Sequence, residues 1–261
     1  MVRGLYTAWT GMVNEQKRLD VISNNMANAD TTGFKKQGVT SQSFDDELTI
    51  RIRDNNSYNS NKKYIGNMNL GVKIGETYHD LSQGSLRETG NTYDLALSGD
   101  GFFTIQTTNK EGVTSTKYTR DGSFTVNVNG YLLTKDGDSV LDVNGNPIQI
   151  PGAQTANEVS IDEAGNILVD NRRVATLGIA SFENPQALLL YGENMYDATD
   201  AAGLQQSEAV VHQGYLEMSN TNVIEEMVDM ITITRAYEAG QKMMQTVDGT
   251  LQKTVNEIGK V

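Results

Sequence analysis

Apolar residues recur at alternating steps of three and four through the first thirty positions: Leu5, Ala8, Met12, Leu19, Ile22, Met26 and Ala29, interrupted once by Glu15. Such spacing places one stripe along one face of an α-helix, so a long amphipathic helix is predicted. A second row, Val2, Tyr6, Trp9 and Val13, gives its first half more surface to bury than a two-stranded seam needs. Thr31, Thr32 and Gly33 disfavour continuation, and Gly33 suits a left-handed cap, which predicts an end near Ala29 to Asp30. At the other end Val223, Met230, Tyr237, Met244, Leu251 and Ile258 repeat every seventh position and form one heptad line. The interposed line, Met227, Thr234, Gln241, Asp248 and Val255, is polar in its middle, while Ile224, Ile231, Ile233 and Val247 add flanking apolar area. A helix with more than one apolar stripe expects more than one neighbour. Asn222 with Glu225 supplies an N-cap and a capping-box acceptor at its start. Gly240 and Gly249 each cost about 1 kcal/mol relative to alanine inside a helix, so a close approach or a local bend is expected there.

Between these ends the period changes. From about Gly84 to Tyr215 the chain is punctuated by Asp100-Gly101, Asp121-Gly122, Asn129-Gly130, Asp136-Gly137 and Asn144-Gly145, dipeptides that supply positive φ in tight hairpins. Strands are predicted at 93–97, 102–107, 114–119, 123–128, 159–162, 167–169 and 173–182, as an antiparallel all-β domain requires. The fold class is therefore α+β: long N- and C-terminal helices packed as a coiled-coil-like pair, with a central irregular antiparallel all-β domain. Four segments follow, namely a helix over 1–37, an extended strap over 38–83, a β-rich body over 84–213 and a second helix over 214–261. Asp54 to Lys63, DNNSYNSNKK, is too polar to bury anything and reads as a flexible loop or a strap ordered on assembly.

Composition narrows the function classes. The 261 residues are enough for a sizeable core, and a net charge of −12 disfavours nucleic acid and anionic membrane surfaces. With no cysteine there are no disulfides, thiolate metal sites or cysteine nucleophiles. No run approaches the ~20 apolar residues that span a bilayer, and the N-terminus lacks the pattern of a cleaved secretory signal, so neither membrane insertion nor general secretion is expected.

Catalytic readings lack parts. His79 and His212 are the two histidines, with no ligand-spaced carboxylates beside them, so solvated histidines are the simpler reading. Asp142 to Asn146 resembles the start of a calcium loop, but Pro147 stands where that loop needs glycine and Ala153 where it needs a bidentate glutamate. Ser98 to Gly101 lacks the lysine and hydroxyl of a phosphate loop, and Asp45 with Asp46 is an ordinary acidic pair in an acidic chain. No enzyme activity, cofactor or metal is predicted. A cell-surface binding module built on the β body is the competing class, and it would work as a monomer.

The most specific residues are LDVISNNMANADTTGFKK, Leu19 to Lys36, and GYLEMSNTNVIEEMVDMITITRAYEAGQKMMQTVD, Gly214 to Asp248. Together they resemble the paired terminal signatures of the flagellar rod and hook axial proteins. Ser82 to Phe103 and Tyr118 to Asp142 are similar to the body domain of that family's rod members. The length favours a rod protein, since hook proteins carry an additional outer domain. The segment from Phe44 to Gly75 and the phrase GENMY at Gly192 to Tyr196 resemble the distal rod type ahead of the proximal one.

The resemblance implies a structural subunit in the flagellar basal body, exported by the flagellar apparatus without a cleaved signal. It would assemble head-to-tail with copies of itself and with other rod and hook axial proteins. The self-assembly seam is then expected on Leu5, Trp9, Met12, Leu19, Ile22, Met26, Val223, Met227, Met230, Tyr237, Met244, Leu251 and Val255. The signature turn comprises Asn24, Asn25, Asn28, Thr31, Thr32 and Gly33, with capping and chain reversal as its local role.

Overall fold

The computed structural model of the protein describes residues 2–51, 63–108, 112–151, 159–192, 194–207 and 209–258, so nearly all of the polar loop expected at 54–63 lies outside the described residues. The architecture is α+β, with an N-terminal helix, a mainly antiparallel β core and a C-terminal helix. The chain divides into two compact units. One contains Met1–Met26, Gln37–Tyr78 and Val223–Val261, and the other Ala27–Lys36 and His79–Asn222.

The first unit holds helix α1, Val2–Ala27, and helix α2, Val223–Lys253. The start of α2 follows its expected cap, and Glu225 and Glu226 in the first turn with Lys253 in the last complement the helix dipole. The heptad line expected to reach Ile258 leaves α-helical geometry earlier, because Thr254–Ile258 form a π-helical turn. Moving from Met12 to Asn25 on α1 runs back from Gly240 to Glu226 on α2, so the two helices are antiparallel. At Gly240 an added Cβ would lie 2.8 Å from Met12 Cγ, the close approach that a helical glycine permits, whereas nothing lies within 4 Å at Gly249.

Four strands that sequence periodicity does not announce complete this unit. Gln37–Ser43 pairs with Val72–His79, and Glu47–Arg51 pairs antiparallel with Lys63–Met68. Their residues are mostly exposed, so no apolar alternation marks them. Polar contacts hold the ribbon to α1: the buried Asn14 donates to Ser41 Oγ at 3.0 Å and accepts from it at 3.2 Å, while buried Thr10 lies against Gly71.

The second unit is built on a nine-stranded antiparallel sheet in which Phe102–Thr108 is central, pairing with Thr114–Thr119, Ser139–Val140 and Ile179–Phe182. Period-two alternation in that strand feeds both faces. Phe103 and Ile105 enter one cluster with Leu95, Leu132, Ile150 and Leu177, and Phe102 enters another with Phe182, Leu188 and Tyr196. A small antiparallel sheet of Val159–Ile161, Asn166–Val169 and Arg172–Thr176 is closed by Asp170 and Asn171, both at positive φ.

The strand expected over 173–182 is two strands, because Gly178 passes where a Cβ would collide with Thr104 Oγ1. Gly130, Gly137 and Gly145 take the positive φ expected of their turns. Gly101 and Gly122 do not; their lack of a side chain instead admits Ser207 Oγ and the Leu95 carbonyl, respectively.

Candidate assembly surface

The expected seam residues divide by exposure. On α1, Ile22 is buried, Leu5, Met12, Leu19 and Met26 are half-buried, and Trp9 is 49% exposed. On α2 the line Met230, Tyr237, Met244 and Leu251 is half-buried beside the buried Ile233, whereas Val223 and Met227 are exposed, as is Val255 in the π-helical turn. Part of the apolar surface of the two helices is thus covered within one chain, and part is exposed.

What remains is organised. Ile224, Met227, Val228 and Ile231 are 74%, 51%, 56% and 52% exposed and stand at i, i+3, i+4 and i+7, one face of the first turns of α2. Tyr6, Trp9 and Val13, the second row of α1, are exposed in the same way, with the Tyr6 and Trp9 rings 5.8 Å apart. Single exposed apolar side chains are ordinary on a protein surface, but contiguous rows mark contact sites.

The signature turn is more than a helix end. α1 stops at Ala27, two residues before its expected end, and the chain reverses where the Thr31 N–H donates to the Asn28 carbonyl at 3.2 Å and Thr31 Oγ1 to Asn28 Oδ1 at 3.2 Å. Asn25 works in the helix-bearing unit: its Nδ2 donates to the Gln37 carbonyl at 2.9 Å and to Glu226 Oε2 at 3.3 Å, and the Gln37 N–H returns to its Oδ1 at 3.0 Å. Asn24 lies exposed on the last turns of α1. Thr32 and Gly33 work in the other unit. Thr32 Oγ1 donates to Asp121 Oδ1 at 2.8 Å, and the Gly33 N–H donates to the Glu217 carbonyl at 2.8 Å. Gly33 has φ +67 and lies so close to the Asp121 amide that a Cβ would clash.

Two residues further on lies a buried charge cluster that sequence patterning misses. Lys35 Nζ donates to Glu217 Oε1 at 2.5 Å and to the Ser82 carbonyl at 2.7 Å. Arg120 donates from Nη1 to Glu217 Oε2 at 3.3 Å and from Nη2 to the Gly99 carbonyl at 2.8 Å, and the Gly84 N–H reaches Glu217 Oε1 at 2.9 Å. The Lys35 and Glu217 side chains are fully buried and that of Arg120 is 3% exposed. Burial pushes the Lys35 ammonium pKa down, with the neighbouring Glu217 carboxylate opposing that shift. Lys35, Arg120 and Glu217 come from the two terminal signatures and the body segment, so the most specific stretches of sequence meet at one carboxylate.

The same stretches match family models described as flagella basal body rod protein over residues 5–35, flagellar hook protein FlgE/F/G D1 domain over 96–169, and flagellar basal body rod FlgEFG protein C-terminal over 212–257. Full-length relatives decide the matter. The flagellar basal-body rod protein FlgG of Bacillus subtilis is 36% identical, covering 98% of this chain and 99% of the relative. That of Borreliella burgdorferi is 34% identical over 96% of this chain and 97% of the relative. The rod protein FlgF of Caulobacter vibrioides is 32% identical, with both chains covered in full. The chain belongs to the flagellar basal-body rod protein family. It is a structural rod subunit and not an enzyme. No helix among the described residues is long and apolar enough to cross a membrane.

Proposed function

We propose that this rod subunit adds head-to-tail to copies of itself through coiled-coil-like contacts of α1 and α2, and that each subunit also carries an all-β body. Head-to-tail addition needs two different patches on each subunit, and a rotation that does not close then gives a helical tube. One observation carries the reading: exposed apolar rows on both terminal helices, Ile224, Met227, Val228 and Ile231 on one and Tyr6, Trp9 and Val13 on the other. Burying each such side chain contributes roughly 1.5 to 3 kcal/mol. The expected seam, Leu5 to Met26 and Val223 to Val255, supplies the remaining contact, and Thr234, Gln241 and Asp248 set register or face the channel. Other rod and hook axial proteins adjoin the polymer in the basal body, which the flagellar export apparatus supplies. The sequence from Phe44 to Gly75 supports a distal position, by resemblance.

Sedimentation of the full chain over a concentration series tests this. Wild type is expected to form polymers above a threshold concentration. Ile224→Asp with Ile231→Asp is expected to raise that threshold by two orders of magnitude or more, about 3 to 6 kcal/mol of lost burial, with helical circular dichroism retained. A folded wild-type chain that stays monomeric at every concentration would sink the reading and favour a monomeric binding module.

A further inference from the structure

Glu217 lies in the unit that contains Ala27–Lys36 and His79–Asn222, and it bonds both the segment 27–36 and the start of the segment from His79. The segment 27–36 is held through the Gly33 N–H, which donates to the Glu217 carbonyl at 2.8 Å, and through Lys35 Nζ on Glu217 Oε1. The segment that begins at His79 is held through the Gly84 N–H on Glu217 Oε1 and the Ser82 carbonyl on Lys35. Three residues beyond Glu217, Asn220 repeats the arrangement. Its Oδ1 accepts from the Lys36 N–H at 2.8 Å, and its Nδ2 donates to the Asp80 carbonyl at 2.8 Å, while the Asp80 N–H donates to the Lys36 carbonyl at 2.8 Å. α2 begins three residues later, at Val223.

We propose that Glu217 is a positioning residue for assembly, a buried clasp that makes the docking of these segments all-or-none and so fixes together, within this unit, the segment ends from which the chain runs on into α1 and α2. Apolar contacts could join the same segments two at a time. A carboxylate with no exposure cannot, because each missing donor leaves a charge unpaired in a dry site. Buried ion pairs contribute little net stability against apolar replacements of the same volume, whereas their loss on one side is severe, which suits a device that selects one arrangement. Arg120 adds the body to the same switch, since it reaches Glu217 Oε2 from the turn after Thr119. Its influence on assembly runs through the segment ends that it fixes. This inference rests on the assembly reading.

The test uses the full chain as wild type, Glu217→Gln, Lys35→Met and the double variant. Hydrogen exchange is read at the Gly33, Lys36, Asp80 and Gly84 amides, with Thr104 and Leu141 in the sheet as references, and sedimentation gives the polymer threshold. In Glu217→Gln the four amides are expected to lose protection together, on the order of a hundredfold, while the two references hold, and the threshold rises. The double variant is expected to be no worse than the poorer single one, since both act through one contact. Should Glu217→Gln not fold, Lys35→Met decides by the same four amides. Amides that respond one at a time, references that loosen equally, or an unchanged threshold in a variant with a broken clasp would overturn the proposal. A wild type that never polymerises overturns the assembly reading, and with it the role in assembly, while the exchange pattern still decides the clasp itself.

Discussion

Gly33 sits under two constraints at once, a left-handed φ of +67 and a backbone neighbour at Asp121 that leaves no room for a Cβ. Gly33→Ala is therefore expected to destabilise the unit by about 1 to 3 kcal/mol in urea unfolding, more than a turn glycine in open space such as Gly137. His79 supplies a second residue-scale prediction. Burial lowers its pKa; its Nδ1 is buried without a hydrogen-bond partner among the described residues, and its ring meets Tyr196 edge-on at 5.9 Å. The folded state thus binds fewer protons than the unfolded one between the lowered pKa and about 6.5, and stability falls as pH drops through that window. Asp80, held low chiefly by the Ser82 N–H, adds a further loss only nearer pH 4. Urea midpoints at pH 7.5 and 5.5 should differ in wild type and differ less in His79→Gln. An equal difference in both would rule the imidazole out. Sequence patterning places Gly33 correctly but passes over Lys35, Arg120 and Glu217, because charged residues in polar surroundings read as surface unless a distant partner is known.

Helices and turns are the legible elements. The heptad lines locate α1 and α2, and Asn222, expected as a cap, immediately precedes the start of the second. Strands with a buried face, such as Phe102–Thr108, follow from their alternation, while the ribbon of Gln37–Ser43 and its partners buries too little to leave a pattern. The two glycines of α2 look alike in sequence and differ in place. Gly249→Ala, in open space, should stabilise the helix by roughly 0.5 to 1 kcal/mol, whereas Gly240→Ala must displace Met12 and should gain less or lose. Thermal melts followed at the helical circular dichroism band distinguish them, and equal gains at both positions would mean that the helices do not approach at Gly240.

At the scale of the molecule, α1 and α2 each bury part of their apolar surface and leave a row exposed, which is what the proposed assembly needs from a chain carrying a net charge of −12. The division into two units was only partly legible, because the segment 27–36, near the end of the expected first helix, is built into the β-rich unit by Glu217 and Asn220. A body cut at Gly38 and Tyr215 would lose Lys35 and Glu217 together, and is expected to unfold at lower urea than one spanning 27–222. The one tryptophan of the chain, Trp9, stands in the exposed row of α1 and reports directly on whether that row is covered. Its emission should shift to shorter wavelength in step with polymer formation across a concentration series, and should stay unshifted in the Ile224→Asp, Ile231→Asp variant. Polymers that form while Trp9 keeps the emission of the monomer would contradict assembly through the terminal helices.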